Sequence, residues 1–81
     1  MKVMFDLDSQ LDNLIKAKQK EFSCAITLYN EEETDRFYMS VLTFDCRVWD
    51  NIPVSNRSNK DAICVGIMRW FKAHGNEVNG G

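Results

Sequence analysis

The residue types that most often carry catalysis or hold metals are few in this chain of 81 residues. It contains three cysteines, Cys24, Cys46 and Cys64, and one histidine, His74. No Cys-x-x-Cys pair is present, and no second histidine or thiol stands at ligand spacing from His74, so we predict no metal site. We expect reduced, mostly buried thiols. We expect His74 to lie in a last helical turn, where a cation interacts favourably with the helix C-terminus.

Two carboxylates, Asp6 and Asp8, follow the apolar segment 3–5. This pattern resembles the nucleophile motif of haloacid-dehalogenase-type phosphatases, in which one carboxylate attacks phosphorus and the other acts as acid and base beside magnesium. Gln10 stands where that family has Thr or Val, and the chain is too short for the family's doubly wound sheet. Acidic residues are also favourable ahead of a helix N-terminus. We therefore predict a protein that is not an enzyme and that uses no cofactor and no small-molecule substrate.

The composition favours a folded domain with a protein partner. Hydrophobic residues make up 44% and charged residues 27% of the chain, which is ordinary for a globular domain. The net charge is −2, whereas domains that bind nucleic acid are usually basic because they neutralise phosphates. No apolar run approaches the ~18 residues that span a bilayer, and the N-terminus lacks a secretory signal. We expect a cytoplasmic protein, or alternatively a nuclear one, with no membrane partner.

The hydrophobic pattern predicts a helix followed by three strands. Apolar residues recur at helical spacing from residue 7 to 22, and Ser9 with Asp12 resembles a capping box. The segment 2–7 alternates and could form a short strand ahead of the helix. Pro53 suits an edge strand because it cannot donate to a ladder. Strands are predicted over residues 23–29, 36–44 and 47–54.

A second helix closes the predicted fold. Ser58 is its predicted cap, Asp61 occupies the third position and Gly75 is placed to end it. The small residues Ala62 and Gly66 would allow close approach to a neighbour. The predicted buried stripe comprises Ile63, Ile67, Trp70 and Phe71.

We therefore predict an α+β (α/β) two-layer domain of order α-β-β-β-α, a three-stranded antiparallel sheet with both helices packed on one face. The domain would span residues 1–75, and residues 76–81 would form a flexible tail.

This order resembles the double-stranded-RNA-binding domain. The segment Arg57 to Ala62 is similar to the family's Ser-Lys-Lys-x-Ala-Lys signature, with Ser58, Lys60 and Ala62 matching. Further along, Gly66 stands near a family alanine and Phe71 near a family leucine, and Arg36-Phe37 resembles an aromatic position at the start of the second strand. The resemblance implies the same fold and contact with duplex RNA at the start of the second helix.

The chain departs from that family where RNA would be held. Asn59 and Ile63 stand where the family has lysines, and Glu31-Glu32-Glu33 replaces a Gly-Pro-x-His loop that enters the minor groove. Weak binding to double-stranded RNA is therefore the alternative function. Its residues would be Arg57, Lys60, Gln10, Asn13 and Lys16.

The leading hypothesis is association with another protein or with a second copy. Alternation places Phe37, Met39 and Val41 on one face of the second strand, which leaves other apolar residues on the face without helices. An exposed apolar set on a small domain is typical of a partner surface. The predicted interface residues are Tyr38, Leu42, Phe44 and Trp49. A third hypothesis is a small acidic inhibitor whose Glu31–Asp35 loop occupies the channel of a nucleic-acid-binding protein.

Overall fold

The computed structural model describes residues 2–4, 9–31 and 34–80. Its elements in chain order are β1 (Lys2–Met4), α1 (Ser9–Phe22), β2 (Cys24–Glu31), β3 (Phe37–Thr43), β4 (Val48–Ser55) and α2 (Lys60–Val78). The strands form one antiparallel sheet in the order β1-β2-β3-β4. The predicted α-β-β-β-α order is confirmed, and the short β1 adds a fourth strand beside β2.

The core lies between the sheet and the two helices, because alternate residues of the central strands turn toward the helices. The strands bury Cys24, Ile26 and Leu28 from β2, Phe37, Met39 and Val41 from β3, and Ile52 and Val54 from β4. The helices bury Leu11, Ile15 and Phe22 from α1, and Ile63, Ile67 and Phe71 from α2. The predicted stripe of α2 is thereby confirmed, except that Trp70 is half-buried at its margin.

The two helices run side by side in the same direction. Near their N-termini, the amide of Gln10 donates to the carboxylate of Asp61 at 3.3 Å. Near their C-termini, the ring of Phe22 stacks on Phe71 with 4.8 Å between centroids. One end of the domain therefore carries both helix N-termini together with the loop that leads from β4 into α2.

The beginnings of both helices differ by one residue from the prediction. Asn59, and not Ser58, caps α2, since its side-chain oxygen accepts from the N–H groups of Asp61 at 2.9 Å and Ala62 at 3.1 Å. Asn and Ser are equally good caps, so propensity cannot choose between two adjacent candidates. Ser9 is already helical in α1, and residue 8 lies outside the described ranges.

The end of α2 was predicted wrongly. Gly75 lies inside the helix, where a Cβ atom would stand 2.8 Å from the ring of Phe22. The helix continues to Val78, which is 2% exposed. Burying a valine contributes ~1.5–3 kcal/mol, which exceeds the ~1 kcal/mol cost of glycine in a helix. Gly80, at φ +80°, follows the cap Asn79 instead. Residues 76–78 are thus part of the packed domain and not of a flexible tail.

A β-bulge interrupts β4. Met39 pairs with Ile52 but Val41 pairs with Trp49, so β4 carries one extra residue between these two pairs. Asn51 has a φ of +54°, a left-handed conformation that Asn tolerates better than most residues. Its N–H is satisfied locally by the carboxylate of Asp50 at 2.8 Å. The bulge reverses the in–out alternation of the strand residues that precede it.

A pair of glycine substitutions tests how α2 packs. A Cβ atom at Gly66 would lie 1.8 Å from the carbonyl oxygen of Val54, a backbone atom that cannot rotate away. We expect Gly66→Ala to destabilise the fold by at least about 1–3 kcal/mol. Gly75→Ala meets only a side-chain ring and gains ~1 kcal/mol of helix propensity, so it should cost far less. Urea denaturation measures both, and equal stability of the two variants would contradict this account.

Candidate functional site

The face of the sheet that points away from the helices is covered by no described element. On this face Ala25, Leu42 and Val48 are neighbours on β2, β3 and β4. Leu42 is 46% exposed and Val48 is 62% exposed. Phe44, two residues beyond Leu42, is 85% exposed. We name Leu42, Phe44 and Val48 the outer patch. Two of the predicted interface residues, Leu42 and Phe44, belong to it.

Tyr38 lies on the same face but at the far end of the sheet. Tyr38 stands four positions before Leu42, which corresponds to roughly 13 Å along a strand. It stands between Tyr29 and Pro53 in the register, and its hydroxyl donates to a carboxylate oxygen of Glu31 at 3.0 Å. Between these two ends the face is polar, with Thr27 opposite Ser40. Tyr38 is therefore outside the outer patch.

Trp49 does not lie on the outer face, contrary to the prediction. The bulge at Asn51 turns it to the helix side, where it pairs with Val41 and packs against the core. Its ring meets Trp70 of α2 edge-on, with 6.1 Å between centroids. Regular alternation would have turned Val48 inward instead. The left-handed conformation that produces the bulge was not evident from the sequence.

The outer patch sits on a tightly held hairpin between β3 and β4. The backbone N–H of Thr43 donates to the carbonyl of Arg47 at 3.0 Å, and that of Cys46 donates to the carbonyl of Thr43 at 3.0 Å. The loop therefore has three residues, and the third, Cys46, is left-handed at φ +66°. Phe44 is the first residue of this loop.

Arg47 ties the hairpin to the end of α2. Its Nε donates to both carboxylate oxygens of Asp45, at 2.9 and 3.0 Å, and its guanidinium lies 5.4 Å from the centroid of Trp49. The same guanidinium donates to the last carbonyls of the helix, those of Glu77 and Val78. These contacts satisfy carbonyls that a helix end otherwise leaves open. Sequence reasoning missed this role because Arg47 and Val78 are far apart in the chain.

Of the residues predicted to bind RNA, three lie together at one end of the domain. Arg57 and Lys60 precede and open α2, and Gln10 reaches Asp61 from α1. The carboxylate of Asp61 therefore stands among them. All three are exposed.

The other two predicted RNA-binding residues lie further along α1, and both are exposed. Lys16 is paired with Asp12 at 2.8 Å, and the hydrogen bond and charge of that carboxylate raise the pKa of Lys16. Asn13 lies between these two on the helix. Because Lys16 is already paired with Asp12, Asn13 and Lys16 together offer little positive charge to an RNA phosphate.

The other candidate residues do not form a site within the described residues. Two of the three thiols, Cys24 and Cys64, are buried, as expected for most of them, and Cys46 is exposed. Burial raises the pKa of the Cys24 thiol. His74 stacks on Trp70 in the interior of α2 and not in its last turn. Asp6, Asp8, Glu32 and Glu33 lie outside the described residues.

No group of three His, Cys, Asp or Glu side chains in the described ranges is placed to hold a metal ion. Neither described helix has the length and apolar character needed to cross a membrane. Comparison of the chain with protein-family models, with curated proteins and with solved structures finds no match.

The pH dependence of stability tests the hairpin network. The hydroxyl of Thr43, followed by the guanidinium of Arg47, holds the pKa of Asp45 below its usual value. The folded protein therefore gains stability from this carboxylate at neutral pH and loses it as the pH falls through the lowered pKa. Urea midpoints of the wild type should exceed those of Asp45→Asn at pH 7, and the difference should shrink as the pH falls through the lowered pKa of Asp45. The control is Asp35→Asn, which removes an exposed carboxylate outside the network. The difference between its urea midpoint and that of the wild type should not shrink as the pH falls.

Proposed function

We propose that this chain is a non-catalytic protein-association module with a fold resembling the double-stranded-RNA-binding domain, and that it docks through the outer patch. The observation that carries the proposal is the exposure of Leu42 and Val48, which pair on the uncovered face, and of Phe44 in the hairpin loop that follows β3. Aromatic residues are enriched in the cores of protein interfaces, and charged residues are depleted there. The partner is another protein or a second copy of the chain.

The rigidity of the hairpin supports this proposal. Thr43, Asp45 and Arg47 fix the loop that carries Phe44, and Arg47 fastens that loop to α2. A side chain whose backbone is already ordered loses less conformational entropy when it enters a partner's pocket. An exposed phenylalanine held in this way is suited to act as the anchor of an interface.

The geometry of β4 favours docking by the face over strand addition at the edge. The bulge at Asp50 and Asn51 disrupts the edge ladder, and Pro53 lacks a donor. The carboxylate of Asp50 also takes up the N–H of Asn51. A partner strand would therefore meet an interrupted ladder at β4, whereas the outer patch remains open to a partner's surface.

A photoreactive probe tests the outer patch. With benzoylphenylalanine in place of Phe44, irradiation should give covalent adducts with a second copy or with a partner protein. The double change Leu42→Lys/Val48→Lys should reduce the yield by about tenfold, since two buried apolar contacts are replaced by desolvated charges.

The matched control places the same probe at Met68, an exposed apolar residue of α2 (44% exposed) that lies outside the outer patch. Adducts should be scarce at this position, and the urea midpoint of the Leu42→Lys/Val48→Lys variant should stay near that of the wild type. Equal yields at positions 44 and 68, or adducts with RNA alone at position 44, would contradict the proposal.

Weak binding to double-stranded RNA is the second candidate function. The parallel helices support it, because they bring Arg57, Lys60 and Gln10 to one end of the domain. Asp61 counts against it, since a carboxylate among these residues repels phosphate.

Titration with an RNA duplex of about 16 base pairs, the span of a domain of this class, tests that candidate. If it is correct, Lys60→Glu should weaken binding and flatten its dependence on salt concentration. Lys20→Glu, a charge reversal on α1, is the control and should change little. Absence of binding at low salt would rule the candidate out.

A further inference from the structure

A groove on the helix side of the molecule is not used by the outer patch. It lies between the end of β4 and the first turns of α2 and has a volume of about 410 Å³. Gly66 lets α2 rest directly on the backbone of Val54, and both residues line the groove. Part of its lining is aliphatic, and we name Ala62 and Gly66 its floor and the exposed Val65 its wall.

Two arginines, Arg57 and Arg69, line this groove and are exposed. Neither guanidinium takes part in an ion pair or hydrogen bond among the described residues, whose ion pairs involve Lys16, Lys18 and Arg47.

Both arginines have ordered backbones. Arg69 lies within α2, and Ser55 fixes the main chain of Arg57 by accepting from its N–H at 3.0 Å and donating to its carbonyl at 2.8 Å. Two cations that form no ion pair with another described residue are thus held beside an apolar floor.

A single carboxylate, that of Asp61, also lines the groove. One of its oxygens accepts from the Gln10 amide of α1 at 3.3 Å. It lies at no ion-pairing distance from Arg57 or Arg69. Among the residues that the structure describes, the charged lining therefore consists of two cations and one anion, and its excess is positive although the whole chain is negative.

We propose that this groove binds an acidic peptide segment of a partner protein, in which carboxylates flank an aliphatic side chain. Guanidinium groups donate paired hydrogen bonds to carboxylates, and the aliphatic floor receives the side chain between them. A nucleic-acid strand fits less well, because bases stack on aromatic rings and no ring lines the groove. The site is separate from the outer patch, so the chain has two docking surfaces on different sides.

Fluorescence anisotropy tests the groove, with a dye-labelled peptide Gly-Ser-Asp-Glu-Leu-Glu-Asp-Ser-Gly as the probe and the full chain as the receptor. We expect saturable binding that weakens as salt is added. The double variant Arg57→Gln/Arg69→Gln should raise the Kd at least about tenfold, because it removes both charge-assisted contacts. A peptide with Asn and Gln in place of its acidic residues should not bind.

The matched control is Lys20→Gln/Lys72→Gln, which removes the same net charge from α1 and α2 outside the groove, and it should change the Kd less than about twofold. Val65→Asp, which places a carboxylate on the wall, should weaken binding while both arginines remain. The variant Leu42→Lys/Val48→Lys should bind the peptide as the wild type does, which separates this site from the outer patch. Circular dichroism confirms that each variant is folded.

Three outcomes would overturn the proposal. One is the absence of saturable binding at low salt. Another is an equal loss in the arginine and lysine variants, which would show unspecific charge attraction. The third is displacement of the peptide by an RNA strand whose tighter binding requires Arg57 and Arg69, which would assign the groove to phosphates.

Discussion

The close contact between α2 and β4 at Gly66 is the constraint on which most of the remaining structure depends. A helix that lacks a Cβ atom at this point can lie on the carbonyl of Val54, and the side chains of Ile63 and Ile67 then reach the centre of the core. The same contact aligns α2 so that its last turn meets the β3–β4 hairpin. The groove lined by Arg57 and Arg69 lies beside the first turns of the same helix. The contact at Gly66 thereby fixes the position of α2 on the sheet.

The two described helices, α1 and α2, cover one face of the sheet, and no other described element covers the second face. The apolar residues of β2, β3 and β4 that turn inward make up most of the core, and those that turn outward remain in contact with water. Burial of apolar area is the dominant favourable term in association. Burying Leu42 and Val48 against a partner would therefore lower the free energy of the complex. The fold of this chain thus creates the surface through which we propose it acts.

Arg47 connects the two layers at the opposite end from the groove. Its contacts with Asp45, Trp49 and the carbonyls of Glu77 and Val78 join a strand hairpin to a helix end. A cation at a helix C-terminus is also favoured by the helix dipole. The aromatic cluster of Trp49, Trp70 and Phe71 continues this connection into the core. The hairpin that presents Phe44 is therefore an extension of the packed domain.

The sequence by itself determined the order of elements and the buried faces of α2 and β3, because hydrophobic periodicity reports directly which side of an element avoids water. It also indicated that Leu42 and Phe44 face outward. Only the tertiary structure decided the orientation of Trp49, the extension of α2 past Gly75, and the meeting of Arg57 with Arg69 at one groove. The first depends on a left-handed Asn51, which shifts the alternation by one residue. The others depend on contacts between residues far apart in the chain, such as Phe22 with Gly75 and Val54 with Gly66, and local propensity carries no information about such contacts.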